Sequence, residues 1–299
     1  MTTIFNAAGS NRPNPFSTIL TSLSAPDTSA SALDSISGQV IKTVTNSPDP
    51  ATALWQLWDA FFIPIATSPS THVPSLALLS ALRARDPTLP TNVEPNSDAA
   101  LSLRSHIDDS EGKLHWSALP RFGWQWRDFH DILEANRQWH DREGYFATFV
   151  QFLATFLEET KGKNEVHPIN VFYACSNILE RKGPEEEKVG EEDEAKFSPG
   201  ELWKMDVRVA ATWVKHGGWA LWEADQGELR GHCPAALDWE TELWPRKDGL
   251  TRERWVLWAA RLRGLGVEGV FDEELTTLVN EAAAVVEGLL GETPTAPTW

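Results

Sequence analysis

Residues 198–225, SPGELWKMDVRVAATWVKHGGWALWEAD, decide the fold. Ser198 can cap a helix, Pro199 suits its first turn, and Glu201 stands where its carboxylate reaches back to the Ser198 amide. Leu202, Met205, Val209, Trp213, His216 and Ala220 then recur at helical spacing, while Val207, Ala210, Ala211, Val214 and Leu221 fill the other faces. A helix that is apolar around most of its circumference belongs in a core. The stretch therefore predicts a central buried helix with other helices packed around it. Its exceptions, Asp206, Arg208, His216 and Gly217-Gly218, are where anything other than packing would sit.

Working outward, the same periodicity recurs on both sides. Upstream, Leu54, Leu57, Trp58, Phe61, Phe62 and Ile65 make one apolar helix that Pro64 should kink or end. Leu76 to Leu82 makes another, and Trp139 to Thr160 a long one with a wide stripe of Phe and Leu. Residues 114–129, LHWSALPRFGWQWRDF, crowd aromatics around Pro120 and Gly123 and read as a rigid aromatic loop leading into a helix. Downstream, Thr251 caps a helix carrying Trp255, Trp258, Leu262 and Leu265, and Asp272 caps the last one. No alternating β pattern of useful length occurs. The fold class is all-α, a single multi-helix domain of roughly ten helices. Residues 1–49 read as a Ser/Thr/Pro-rich extension whose short helices pack on a body of 50–299. The acidic run 182–196 reads as a solvated, mobile loop.

Composition narrows the function classes. A chain of 299 residues with 41% hydrophobic and 23% charged residues is ordinary for a soluble globular protein. A formal charge of −17 repels nucleic-acid phosphates and anionic lipid, so neither nucleic acid nor membrane is an expected partner. The first fifteen residues lack a basic and an apolar signal region, and no apolar run approaches the length of a membrane span. Two cysteines, Cys175 and Cys233, make neither a disulfide scaffold nor a metal cluster. These observations predict a cytoplasmic protein. Oligomeric state is beyond them.

Three segments, LPRFGWQWRD at 119–128, DVRVAATWVKHGG at 206–218 and GLTRERWVLWAARL at 249–262, share an order and spacing that resemble a fungal family known as a domain of unknown function, DUF3632. The resemblance spans about residues 50–290. It implies an all-helical protein from a filamentous fungus, and it carries over no functional residue.

Familiar motifs dissolve on inspection. GLGVEG at 264–269 matches the dinucleotide fingerprint letter for letter, but a helix precedes it where that chemistry needs a strand, so it reads as a helix end and linker. Asp108-Asp109-Ser110-Glu111-Gly112 lacks the fifth acid of a magnesium-diphosphate cluster, and Asn280-Glu281 to Glu287 lacks the hydroxyl ligand of its partner cluster. His130 and His140 are poorly spaced for a shared ion. HExxH, CxxC, GxSxG and phosphate-loop patterns are missing from the sequence. No cofactor and no metal are expected.

The fifteen tryptophans carry the remaining signal. Indole rings either cement helix junctions or line a cavity for a flat apolar ligand. Trp124, Trp126, Trp213, Trp219 and Trp222 are the ligand-binding candidates, with His216, Asp206 and Arg208 as the catalytic ones. The expected function is a cofactor-free protein that binds a small apolar metabolite in a Trp-lined pocket. If it is an enzyme, it would be a metal- and nucleotide-independent cyclase or pericyclase, guiding cyclisation or rearrangement by holding the substrate in a dry cavity. The alternative is a non-enzymatic interaction or scaffold protein whose tryptophans are structural. The two differ at Trp213 and His216, which border a cavity in the first reading and are packed in the second.

Overall fold

A computed structural model of the chain describes residues 14–24, 29–94, 96–104, 111–163, 165–184, 196–232, 236–267 and 269–291. They hold twelve α-helices and no strand, only the isolated bridges Thr88–Leu114 and Trp139–Lys196. The middle of the acidic run, the Asp108-Asp109-Ser110 segment and Cys233 lie outside the described residues. Two compact units divide the chain, residues 1–136 and 137–299.

The first unit contains α1 (Pro15–Thr21), α2 (Ala30–Thr45), α3 (Pro50–Thr67), α4 (His72–Arg83), α5 (Asp98–Arg104) and α6 (Phe122–Asn136). Asp49 caps α3 by accepting from the Thr52 amide at 3.0 Å. Pro64 does not end this helix, which runs on to Thr67. The proline removes a single donor close to the C-terminus, and its own carbonyl is used by the Ser68 amide and the Thr71 hydroxyl. Trp58, Phe61, Phe62, Phe122 and Phe129 interlock as the core, with Trp58 set edge-on to Phe122 at 5.0 Å. The helices α1 and α2 of the N-terminal region pack on α3 and α4.

The second unit contains α7 (Tyr145–Glu159), α8 (Ile169–Ala174), α9 (Pro199–Glu223), α10 (Gln226–His232), α11 (Arg252–Val267) and α12 (Glu273–Gly291). The helix expected from Trp139 begins only at Tyr145, because Gly144 adopts a left-handed conformation at φ 79°. A π-turn, Cys175–Leu179, prolongs α8. The central helix forms as its sequence predicts, with the complete capping box: the Glu201 amide donates to Ser198 Oγ, and Glu201 Oε2 accepts from the Ser198 amide at 2.9 Å. It packs against α7, α8 and α12. Thr251 and Asp272 cap α11 and α12 as expected. The helix α11 runs through Gly264 and Gly266, so the GLGVEG fingerprint begins inside a helix. A Cβ at Gly266 would lie 2.7 Å from Asn280 Oδ1, which is why α12 can approach there.

Candidate functional site

The polar residues singled out on α9 all reach neighbouring segments. Asp206 takes both carboxylate oxygens to Arg137, at 2.9 Å from Nε and 3.3 Å from Nη2. Arg208 turns to Glu274 on α12 at 2.5 Å, so Asp206 and Arg208 serve different partners. His216 Nδ1 lies 2.6 Å from Glu158 on α7, and Lys215 meets Glu281 on α12 at 2.7 Å. The double glycine is a close helix crossing: a Cβ at Gly217 would fall 2.6 Å from Leu157 and 2.8 Å from Val171. One at Gly218 would lie 3.4 Å from Val285. At Gly217, Leu157 and Val171 take up the space that a side chain would need.

The five candidate tryptophans fall in different environments. Trp213 is buried in α9, Trp219 is half-buried, and Trp222 is set edge-on to Trp255 at 5.3 Å. Trp124 and Trp126 belong to the first unit, where they stand on α6 rather than in a loop. Trp126 is buried there, whereas Trp124 is 73% exposed. Among the described residues nine tryptophans are buried: Trp58, Trp116, Trp126, Trp203, Trp213, Trp222, Trp244, Trp255 and Trp258. Most of the tryptophan therefore works as core.

Four further groups bear on chemistry. In the first unit, Leu119 and Arg121 both adopt left-handed backbone around Pro120, at φ 45° and 67°. That turn points the Pro120 carbonyl at the Trp58 indole, which donates to it at 2.7 Å. Beside it, Gln125 donates to Asp59 at 2.9 Å, and burial raises the Asp59 carboxyl above its ordinary value against the opposing pull of Gln125 and Arg121. In the second unit, Arg254 and Glu180 form an ion pair at 2.6 Å with both side chains fully buried. Outside both groups, His167, Glu228 and His232 bring donor atoms within 4.8 Å of one another, and His130, Asp131 and Glu134 do the same on α6.

The sequence profile of a family described as "Protein of unknown function (DUF3632)" matches residues 41–262. The chain belongs to this family. No curated protein and no solved structure matches it. Each of the three family-like segments supplies a structural tie: LPRFGW the strained turn under Trp58, DVRVAATW the Asp206 and Arg208 ion pairs, RERWVLW the buried Arg254. The acids of the second diphosphate-like candidate are engaged in the same way, Glu287 with Arg263 and Glu281 with Lys215.

The Arg254–Glu180 pair is the most elaborate of these ties, and sequence reasoning missed it. Glu180 Oε1 accepts from Arg254 Nε and from Trp258 Nε1 at 2.8 Å, while Oε2 accepts from Arg254 Nη2 and the Thr241 hydroxyl. Arg254 Nη1 donates to the carbonyls of Leu237 and Gly249, each at 3.0 Å. The guanidinium also lies 4.7 Å over the Phe172 ring. Isolated buried charges are costly, and this pair is sustained because its donors and lone pairs are taken up. The π-turn delivers Glu180, and the left-handed Gly249, at φ 75°, turns its carbonyl toward Arg254. A signal was present: Arg254 continues the four-residue spacing of Trp258 and Leu262 on the buried face of α11. Nearby, burial pushes the Cys175 thiol well up, with Glu180 adding to the shift, so this cysteine stays a neutral thiol.

Proposed function

We propose that this protein is a non-enzymatic helical scaffold that binds its partners through its surface. The observation that carries the reading is the engagement of the α9 exceptions: Asp206, Arg208, His216 and Gly217 each meet a named neighbour within the second unit. Side chains and glycines that join one helix to its neighbours fit a structural duty, and these four do so here. The buried tryptophans support the same reading, because they fill helix junctions. Among the described residues, Trp124 and Trp239, at 73% and 46% exposed, are the exposed tryptophans open to contact with another molecule.

One observation supports the second reading, in which a small apolar metabolite is bound and cyclised or rearranged in a fungal biosynthesis. The Trp255 indole nitrogen is buried without an acceptor among the described residues, edge-on to Trp222 and Trp258. A ligand oxygen or a water would satisfy it.

Affinity capture from the source cells, paired with native mass spectrometry of the purified chain, separates the two. The scaffold reading expects a protein captured by the wild type and lost with Trp124→Ala or Trp239→Ala, with no small molecule retained. A co-purifying metabolite that His216→Ala or Trp222→Phe releases would overturn it.

A further inference from the structure

We propose that His167, Glu228 and His232 form a binding site for a late first-row transition ion, zinc foremost. Glu228 and His232 stand four residues apart on α10, one turn of helix, so their side chains share a face. His167 comes from the turn that opens α8, where two features hold it in place: Pro168 restricts the backbone beside it, and its carbonyl accepts from Asn170 Nδ2 at 2.7 Å. Its Nδ1 accepts from the Ile169 amide at 3.2 Å. The ring lies against that of His232, with centroids 3.7 Å apart and planes inclined by 33°. Donor atoms of all three residues fall within 4.8 Å of one another.

The donor types choose the ion. Two imidazoles and one carboxylate suit zinc, nickel or copper, whereas magnesium and calcium prefer an all-oxygen shell. Three protein ligands leave at least one position for water or an outside group. Glu228 and His232 are exposed and His167 is half-buried, so an ion can reach the cluster from solvent. Coordination through His167 Nε2 leaves the ring proton on Nδ1 and gives up the Ile169 contact, which is long for a hydrogen bond. The cost is small, and it supplies a local reporter. His130, Asp131 and Glu134 make a poorer set, with one imidazole and all three residues on a single helix.

The test uses the full-length chain without a histidine tag, titrated with zinc by calorimetry and with cobalt(II) by visible absorption. One ion per chain is expected, with affinity at least about tenfold weaker in His232→Gln and in Glu228→Gln, since even outer-shell substitutions cost that much. Both residues are exposed, and circular dichroism checks that the variants fold. His130→Gln and Cys233→Ser should bind as the wild type does. In amide spectra, zinc should move the Ile169 resonance. Binding that fails to saturate, that survives His232→Gln and Glu228→Gln, or that depends on His130 or Cys233 overturns the assignment.

Discussion

The two units solve the same problem, a helical core, with different materials. In the first, Trp58, Phe61, Phe62, Phe122 and Phe129 fill the centre, and the buried polar groups are met by separate hydrogen bonds, the Trp58 indole to the Pro120 carbonyl, Gln125 to Asp59 and the His72 ring with the Ile65 carbonyl. In the second, a fully buried Arg254–Glu180 pair sits among Phe172, Trp244 and Trp258. The difference follows from the chain around each centre. Helices satisfy their own backbone, whereas irregular chain does not. The second unit must fix residues 236–250, which are mostly non-helical, against a π-turn. A guanidinium offers five N–H donors, enough to hold two loop carbonyls and a carboxylate together. A fully buried ion pair is thus the clamp for irregular backbone, and aromatic volume with a few separate hydrogen bonds serves where helices meet directly.

The comparison breaks most sharply at Glu180. Glu180→Ala leaves Arg254 charged, buried and unpaired, and should cost about 3–5 kcal/mol. Denaturant unfolding measures this, and amide exchange should show the loss of protection within residues 137–291 rather than in the first unit. Replacing the pair together, Arg254→Met with Glu180→Leu, should recover much of that stability, because two apolar side chains leave no uncompensated charge.

A smaller effect is expected for Trp58→Phe in the first unit. The substitution removes the donor to the Pro120 carbonyl and part of the ring volume, and should cost about 1–3 kcal/mol, read from the shift in the unfolding midpoint. A loss as large as that of Glu180→Ala would show that the first core also depends on a polar clamp.

The smallest effect concerns pH. Burial holds His72 below its ordinary value of 6.5, with its Nε2 3.0 Å from the Ile65 carbonyl. The unfolded chain therefore takes up a proton that the folded one resists. His72 contributes its full stability above about pH 6.5 and loses it as pH falls from there toward the lowered folded value. His72→Gln should flatten the stability profile across that window, and an unchanged slope would remove His72 from the account.

Much of the architecture was legible because its signals are local. The capping box at Ser198, the caps at Thr251 and Asp272, and the apolar periodicity of α9 each depend on residues within a turn or two, and all appear in the structure. The end expected at Pro64 does not occur, because a proline near a helix end removes one donor, and α3 continues past it to Thr67. The candidate residues were legible as exceptions to a pattern, but their duties were not. Nothing near Asp206 in sequence points to Arg137, and nothing near His216 points to Glu158.

By itself, the sequence determined that this protein is all-helical, where its central helix begins, and which residues on that helix break the apolar rule, because helix formation answers to neighbours three and four places away. Only the tertiary structure decided that Arg254 meets Glu180, that Gly217 admits Leu157 and Val171, and that His167 meets His232. Those pairings join residues far apart in the chain, and charge, close contact and ligand geometry act through space.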